Sequence, residues 1–351
     1  MKYCKKLLCL MTALSAALLP ACGKVQPEKT EPQGMAYFSY FDTVSYVYSY
    51  AGDSPEQFEK RCEEVSRILG EYHRSFDIYH EYSGMNNLCT VNRRAGGEAV
   101  PVSPELMEFL LFAKGLYDQT EGKMNIMLGS LLSLWHDCRE AAANDPSSAQ
   151  IPEEAALREA GMHTDIALLE LDEAACTVRI SDEQASLDVG AAAKGYATEK
   201  AAQYLESDGA KGYVLNIGGN IRMIGAKPDG SGWVTGIKDP QSPETILPER
   251  LLLKDTSCVT SGVYERYFTV DGVRYHHIID PATLYPADSF ASVTVITKDS
   301  GVADCLSTAL FCLPYEQGLE MAKQFPSTEV IWYTTEGERL STPGVAGLYQ
   351  K

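Results

Sequence analysis

From Met35 to Tyr50 aromatic and small polar residues alternate (Tyr37, Phe38, Tyr40, Phe41, Tyr46, Tyr48 and Tyr50), the period of a half-buried strand, here expected to bend near Asp42. Ser54-Pro55-Glu56-Gln57 then offers an N-cap, a proline at the first helical position and a capping-box glutamine, which predicts a helix over 55–73. Ser103-Pro104-Glu105 repeats the signal before a helix over 104–119. From Ile166 onward, short runs of strand character fall at 166–171, 175–181, 212–217, 221–226, 232–237, 249–254 and 257–261. Asp271-Gly272 separates Tyr267–Val270 from Val273–Ile278, a two-residue hairpin signal. Helices over 190–207, 302–313 and 315–324 stand between these runs. Strands beside strands predict an α+β fold, with mainly antiparallel sheets flanked by helices, in one domain over 35–351 around a central cleft. Residues 137–152, with Asn144-Asp145-Pro146-Ser147-Ser148, read as a surface excursion.

The first residues follow a different pattern. Lys2, Lys5 and Lys6 precede an apolar stretch from Leu7 to Leu19, and Ala21 precedes Cys22. A basic start followed by an apolar segment too short to span a bilayer is an export signal, expected over 1–21. Ala21-Cys22 resembles the lipobox at which bacterial lipoproteins are cut and acylated, which makes Cys22 the expected lipidated residue, with an ordinary secretory signal and an incidental Cys22 as the alternative. Residues 22–34 are polar, contain prolines and lack periodicity, as a tether does. The expectation is a chain held on the extracytoplasmic face of the cell membrane by its lipid anchor.

Charge narrows the partners. Removing residues 1–21 takes three lysines from a chain of net charge −18, leaving −21. So acidic a surface excludes nucleic acid as a natural partner, because phosphate backbones are held by clustered Lys and Arg. Seven cysteines remain beyond Cys22 (Cys62, Cys89, Cys138, Cys176, Cys258, Cys305 and Cys312). An odd number without a Cys-x-x-Cys pair argues against a disulfide framework or a zinc site, and favours buried thiols.

Four blocks carry candidate chemistry. Asp304 and Thr308 lie one turn apart in the apolar helix, so a carboxylate and a hydroxyl share a face, and two hard oxygen donors suit Mg²⁺. The same pair also fits a helix-start acid with a threonine bonded back to the preceding turn. Ser186–Tyr196 runs through Asp188, Gly190, three alanines from Ala191, and Lys194. Small residues at a strand-to-helix turn let a phosphate approach a helix N-terminus, where Lys194 could neutralise it; a tightly packed alanine helix with an exposed lysine is the plain alternative. Asn216-Ile217-Gly218-Gly219-Asn220 marks either a β-bulge or cleft lining. His276–Thr283 places His277 at the end of a hairpin strand, and Asp280 before Pro281 in a turn-fixing position.

Together and in this order, the four blocks resemble the FAD:protein FMN transferase family, over nearly the whole chain from Tyr37. The resemblance implies an ApbE-like fold with a central FAD cleft, Mg²⁺ as cofactor and FAD as substrate. It implies transfer of FMN to a Ser or Thr hydroxyl of an acceptor protein, such as a flavin-bearing subunit of a membrane redox complex, with release of AMP. The metal ligands implied are Asp304, Thr308 and the Ala191 carbonyl, and the catalytic residues His277 and Asp304. The FAD contacts implied are Phe41, Met124, Asn125, Asp188, Lys194, His277 and Ile279. The chain departs from the family where Phe41 stands for a common Met, Asp42 for a common Gly, and Leu284 for the Gly of a usual Thr-Gly. Two rivals remain on the sequence: hydrolysis of FAD to FMN and AMP, and flavin binding without turnover.

Overall fold

A computed structural model describes residues 31–350, so residues 1–30, including the expected signal segment and Cys22, lie outside it. The first strand, β1 (Gln33–Tyr40), begins inside the stretch expected to be tether, because Gln33 already pairs with Ser49 of β2 (Thr43–Ser49). The expected single bent strand is therefore a hairpin. Phe41 and Asp42 take φ of 53° and 51°, which reverses the chain in two residues. Side-chain alternation conceals the reversal, since it continues along both arms.

Helix α1 (Pro55–Phe76) starts as its residues require: Ser54 Oγ accepts from the Gln57 N–H at 3.2 Å. It buries Phe58, Cys62, Val65, Leu69, Tyr72 and Phe76, the stripe of a helix packed on one side. After α2 (Leu88–Arg93) and β3 (Val100–Pro101) comes α3 (Pro104–Gln119), capped by Ser103. Helix α4 (Gly129–Asn144) takes up the first half of the expected excursion, while the remainder holds an exposed 3₁₀ turn, Pro146–Ser148, before α5 (Glu154–Gly161). The run expected as a strand over 166–171 opens as a 3₁₀ turn, Ile166–Leu168, before β4 (Leu169–Asp172). β4 and β3 flank β5 (Thr177–Ile180) in a small sheet.

The second half of the chain builds the frame of the site. In order come α6 (Ala193–Ser207), β6 (Tyr213–Ile217), β7 (Asn220–Ile224), β8 (Trp233–Asp239), β9 (Ser242–Leu253), β10 (Ser257–Gly262), β11 (Tyr267–Val270) and β12 (Val273–His276). They are followed by β13 (Phe290–Thr297), α7 (Ser300–Phe311), α8 (Tyr315–Lys323), β14 (Glu329–Thr334) and β15 (Arg339–Ser341). An antiparallel sheet runs β1-β2-β6-β7-β10-β13-β14-β15. Alternate residues of its central strands face opposite layers. Val259, Val295 and Val330 join the main core with residues of α6 and α7, whereas Cys258, Ile296 and Ile331 pack with Trp233, Leu251 and Leu253 of the β8–β9 hairpin.

Double-sided burial explains two strands the sequence pattern does not announce. All eight residues of β13 are buried, and so are Val330–Tyr333 of β14, so neither strand shows alternation. The fold is α+β, as its element pattern predicts. Asn216–Asn220 is a tight turn, not a bulge: Ile217 pairs with Asn220, and Gly218 and Gly219 take φ of 57° and 95°. All seven cysteines in the described residues are free, and no described helix is long and apolar enough to cross a membrane.

Candidate active site

Helix α6 begins without a side-chain cap of its own, and α7 supplies one. The Gly195 N–H, in the first turn of α6, donates to Asp304 Oδ2 at 2.7 Å. Residue 195 must be glycine for this approach, since a Cβ there would stand 2.4 Å from both Asp304 Cβ and the Ser300 carbonyl. Glu199 reinforces the junction by accepting from the Ser300 N–H at 2.9 Å and from Arg222 Nε of β7 at 3.1 Å. Asp304 is only 5% exposed. Burial raises its pKa, against the opposing pull of Lys194, the Gly195 N–H and the Asn220 amide. Asn220 nonetheless falls outside hydrogen-bond geometry: its Nδ2 is buried without a partner.

Thr308 follows one turn later on α7 and is partly exposed. The bond back to the preceding turn is made by its neighbour, for Ser307 Oγ donates to the Asp304 carbonyl at 2.9 Å. Ala191 lies in the turn entering α6, where the Ala192 and Ala193 N–H groups both donate to the Val189 carbonyl, at 3.0 and 2.9 Å. Among the described residues no three His, Cys, Asp or Glu side chains gather into a metal cluster. The residues expected as ligands offer donors of another kind: the Asp304 carboxylate, the Thr308 hydroxyl and the Ala191 carbonyl. By chemical type, hard oxygen donors such as these suit a divalent cation that completes its shell with phosphate oxygens and water. The unspent Asn220 amide beside the carboxylate marks a polar site still lacking a partner.

Two adjacent histidines end the β11–β12 hairpin, and their bonding separates them. His276 is buried with both ring nitrogens engaged: Nε2–H donates to the Ala287 carbonyl at 2.7 Å, and Nδ1 accepts from the Ile278 N–H at 3.2 Å. His277 donates its backbone N–H to the Arg266 carbonyl at 3.1 Å and its Nδ1–H to the same oxygen at 3.2 Å. A carbonyl can only accept, so the proton sits on Nδ1 and the Nε2 lone pair is free. Although part of the ring is open to solvent, protein encloses most of it. Burial first, then the cations Arg266 and Lys194 and the neighbouring His276 ring, push its pKa down to about 3, so the imidazole is neutral at physiological pH.

A cleft of about 380 Å³ opens beside these elements, lined among others by Phe41, His73, Tyr79, Asp188, Lys194 and Arg266. Phe41 reaches it from the tip of the β1–β2 hairpin, with its N–H on His73 Nδ1 at 3.2 Å and its ring edge-on to the imidazole at 5.6 Å. Asp188 accepts the Gly190 N–H at 2.8 Å; burial raises its pKa, while Arg266, His136 and Arg139 pull the other way. Lys194 also acts on both Asp304 and His277, so the cation is common to the two halves of the site.

Three expected FAD contacts stand differently. Met124 is fully buried in the main core, so its side chain packs among apolar neighbours and does not face the cleft. Ile279 is 4% exposed and packs in the cluster around Trp135, which leaves only its backbone for a ligand. The Asn125 amide is engaged at both ends within the protein, donating to the Thr164 carbonyl at 2.9 Å and accepting from the Met127 N–H at 2.8 Å, which leaves one N–H and one lone pair for a ligand. Asp280 fixes its turn, accepting from Lys123 Nζ at 2.8 Å and the Ala282 N–H at 3.0 Å. Leu284 keeps a left-handed backbone, φ 66°, so the loop retains the conformation a glycine would take there at lower cost.

The sequence pattern did not single out Arg266, His73 or Tyr79. Arg266 carries no local signal, because its carbonyl meets His277 only through hairpin pairing. Asp77-Ile78-Tyr79-His80-Glu81-Tyr82 does carry one: aromatic and titratable residues concentrated in a loop between two helices.

Residues 42–332 match the model of the ApbE family. The chain is 32% identical over 271 residues to an FAD:protein FMN transferase of Klebsiella pneumoniae, covering 77% of this chain and 82% of that one. It is 30% identical over 321 residues to an FAD:protein FMN transferase of Treponema pallidum, covering 86% and 85%. Among solved structures it resembles the ApbE protein of Thermotoga maritima, with a TM-score of 0.79 at 27% identity over 92% of this chain and 100% of that one. It likewise resembles the flavin transferase ApbE of Vibrio cholerae, with a TM-score of 0.75 at 25% identity over 91% and 99%.

Proposed function

This chain belongs to the ApbE family, and on that premise we infer that it is an enzyme that moves FMN from FAD to an acceptor protein. The finer reading is transfer to a Ser or Thr hydroxyl, with AMP as the second product. The observation that carries it is the fixed tautomer of His277, whose Nδ1–H is held by the Arg266 carbonyl at 3.2 Å while Nε2 is left free. A neutral imidazole with an unshared lone pair is suited to take the proton of an attacking hydroxyl.

Asp304, Thr308 and the Ala191 carbonyl would hold Mg²⁺, which when bound neutralises charge on the diphosphate oxygens. The chain's own groups do the rest. Phe41 offers an aromatic surface to the flavin, and Lys194 and Arg266 stand as cations for the phosphates. His277 Nε2 accepts the hydroxyl proton as the acceptor oxygen bonds to the FMN phosphorus. The bond from that phosphorus to the bridging oxygen breaks, and AMP leaves with the electron pair.

The basic start, the apolar stretch Leu7–Leu19 and the Ala21-Cys22 junction support a lipid-anchored chain working on the extracytoplasmic face of the membrane. The acceptor would then be an exported or membrane protein, such as a flavin-bearing subunit of a redox complex. Metabolic labelling with a fatty acid, lost in Cys22→Ser, tests the anchor.

Co-expression with a candidate acceptor, followed by mass spectrometry, tests the reaction. The expected product is one FMN on one Ser or Thr, absent with Asp304→Ala. Free FMN at equal rates with and without acceptor would instead mean hydrolysis.

A further inference from the structure

We propose that the polar groove along the loop between α1 and α2 receives the extended segment of the acceptor protein that carries the target hydroxyl; this rests on the functional reading above. A cavity of about 500 Å³ is bounded by Glu81, Tyr82, Ser83, Asn86, Thr90 and Arg94. Tyr82 also lines the cleft beside Lys194 and Arg266, so the two spaces meet at one side chain. The cleft itself, about 380 Å³, lies near the low end of the roughly 300–1,000 Å³ that enclose a drug-sized ligand. A dinucleotide bound there would leave no space in the cleft for an acceptor chain, which must then lie alongside.

The groove's chemistry selects its occupant. Its lining offers one cation, one anion, hydroxyls and an amide, with Met85 as its one large aliphatic side chain. Such a surface pairs with a polar main chain and not with a flavin ring or an acyl chain. The adenylate half of FAD is the competing occupant, but the cations suited to its phosphate, Lys194 and Arg266, stand in the neighbouring cleft.

The wall is also built in advance. Asp77 accepts from the N–H groups of Tyr79 and His80, at 2.7 and 2.9 Å, and from the Tyr82 hydroxyl at 2.8 Å. Asn87 Nδ2 donates to the carbonyls of Arg74 and His80, at 2.9 and 2.8 Å, and the Met85 N–H donates to the Tyr82 carbonyl at 3.2 Å. A segment docking on a preorganised loop loses less to ordering than one that must fold its own site.

The test uses the full chain with Arg94→Glu and, separately, Ser83→Tyr, both at exposed positions. FMN transfer to a purified flavin-carrying subunit of a membrane redox complex, isolated without its flavin, is followed at varied acceptor concentration, and FAD affinity is measured by flavin fluorescence. The expected result is a KM for the acceptor raised about tenfold or more, about 1.4 kcal/mol, with Kd for FAD and the rate at saturating acceptor unchanged. An unchanged acceptor KM in both variants overturns the proposal. So does a matching loss of FAD affinity, which would give the groove to the dinucleotide. A wild-type chain that binds FAD but labels no acceptor removes the functional reading, and this proposal with it.

Discussion

Gly195 donates its N–H to the carboxylate of Asp304 at 2.7 Å, across a helix contact with no room for a side chain at residue 195. One bond thus joins the start of α6, which has no cap of its own, to the acid expected to hold the metal. Gly195→Ala would press a methyl against Asp304 Cβ and the Ser300 carbonyl, each 2.4 Å away, and the backbone oxygen cannot rotate aside. Urea unfolding should show a loss of about 1–3 kcal/mol, the range for overpacking. Transfer activity should fall further than stability does, because α6 moves against Asp304.

Asp304→Asn separates charge from structure. The amide oxygen still accepts from Gly195, so the unfolding midpoint should stay near wild type. Transfer should fall about a hundredfold or more, about 2.7 kcal/mol in barrier, and recover in part as Mg²⁺ is raised. A rate that stays at the wild-type level at every Mg²⁺ concentration would remove Asp304 from the metal site.

The neighbouring histidines should fail in opposite ways. His277→Ala removes the free Nε2 and should cost about 10²–10⁴ in kcat with little change in unfolding. His276→Ala strands the Ile278 N–H and the Ala287 carbonyl, and should cost about 1–3 kcal/mol of stability. Thermal melts and single-turnover rates on both variants distinguish these outcomes.

The acid limb of the pH–rate profile should lie far below the ordinary histidine range. His277 is held neutral by burial and by Arg266, His276 and Lys194, with a pKa near 3. Between that value and about 6.5 the unfolded chain binds a proton that the folded chain refuses. The stability this group contributes is therefore complete above about pH 6.5 and is lost as pH falls toward 3. Measured kcat/KM from pH 5 to 8 should show no inflection from His277; a limb centred near 6.5 that disappears in His277→Ala would show that its pKa is not held down.

Much of the frame was legible because each signal is local. Ser54 and Ser103 cap the helices their spacing announces, Asp271-Gly272 closes its hairpin, and the alanines after Gly190 open α6. The β1–β2 reversal was not legible, since two non-glycine residues adopt positive φ there. Nor was β13, whose burial on both faces erases the period that betrays a strand.

The site divides along the same line. Residue order alone determined which groups could do the chemistry: Asp304 with Thr308 one turn on, Lys194 at a helix start, and His277 at a strand end. Only tertiary structure decided their surroundings. It made His276 structural and left His277 with a free nitrogen, turned Met124 into the core, and brought Arg266 and the Asp77–Tyr82 loop to the cleft. Proton position and burial depend on partners distant along the chain, such as a carbonyl across a hairpin or a glycine on another helix. No one-dimensional spacing encodes those distances.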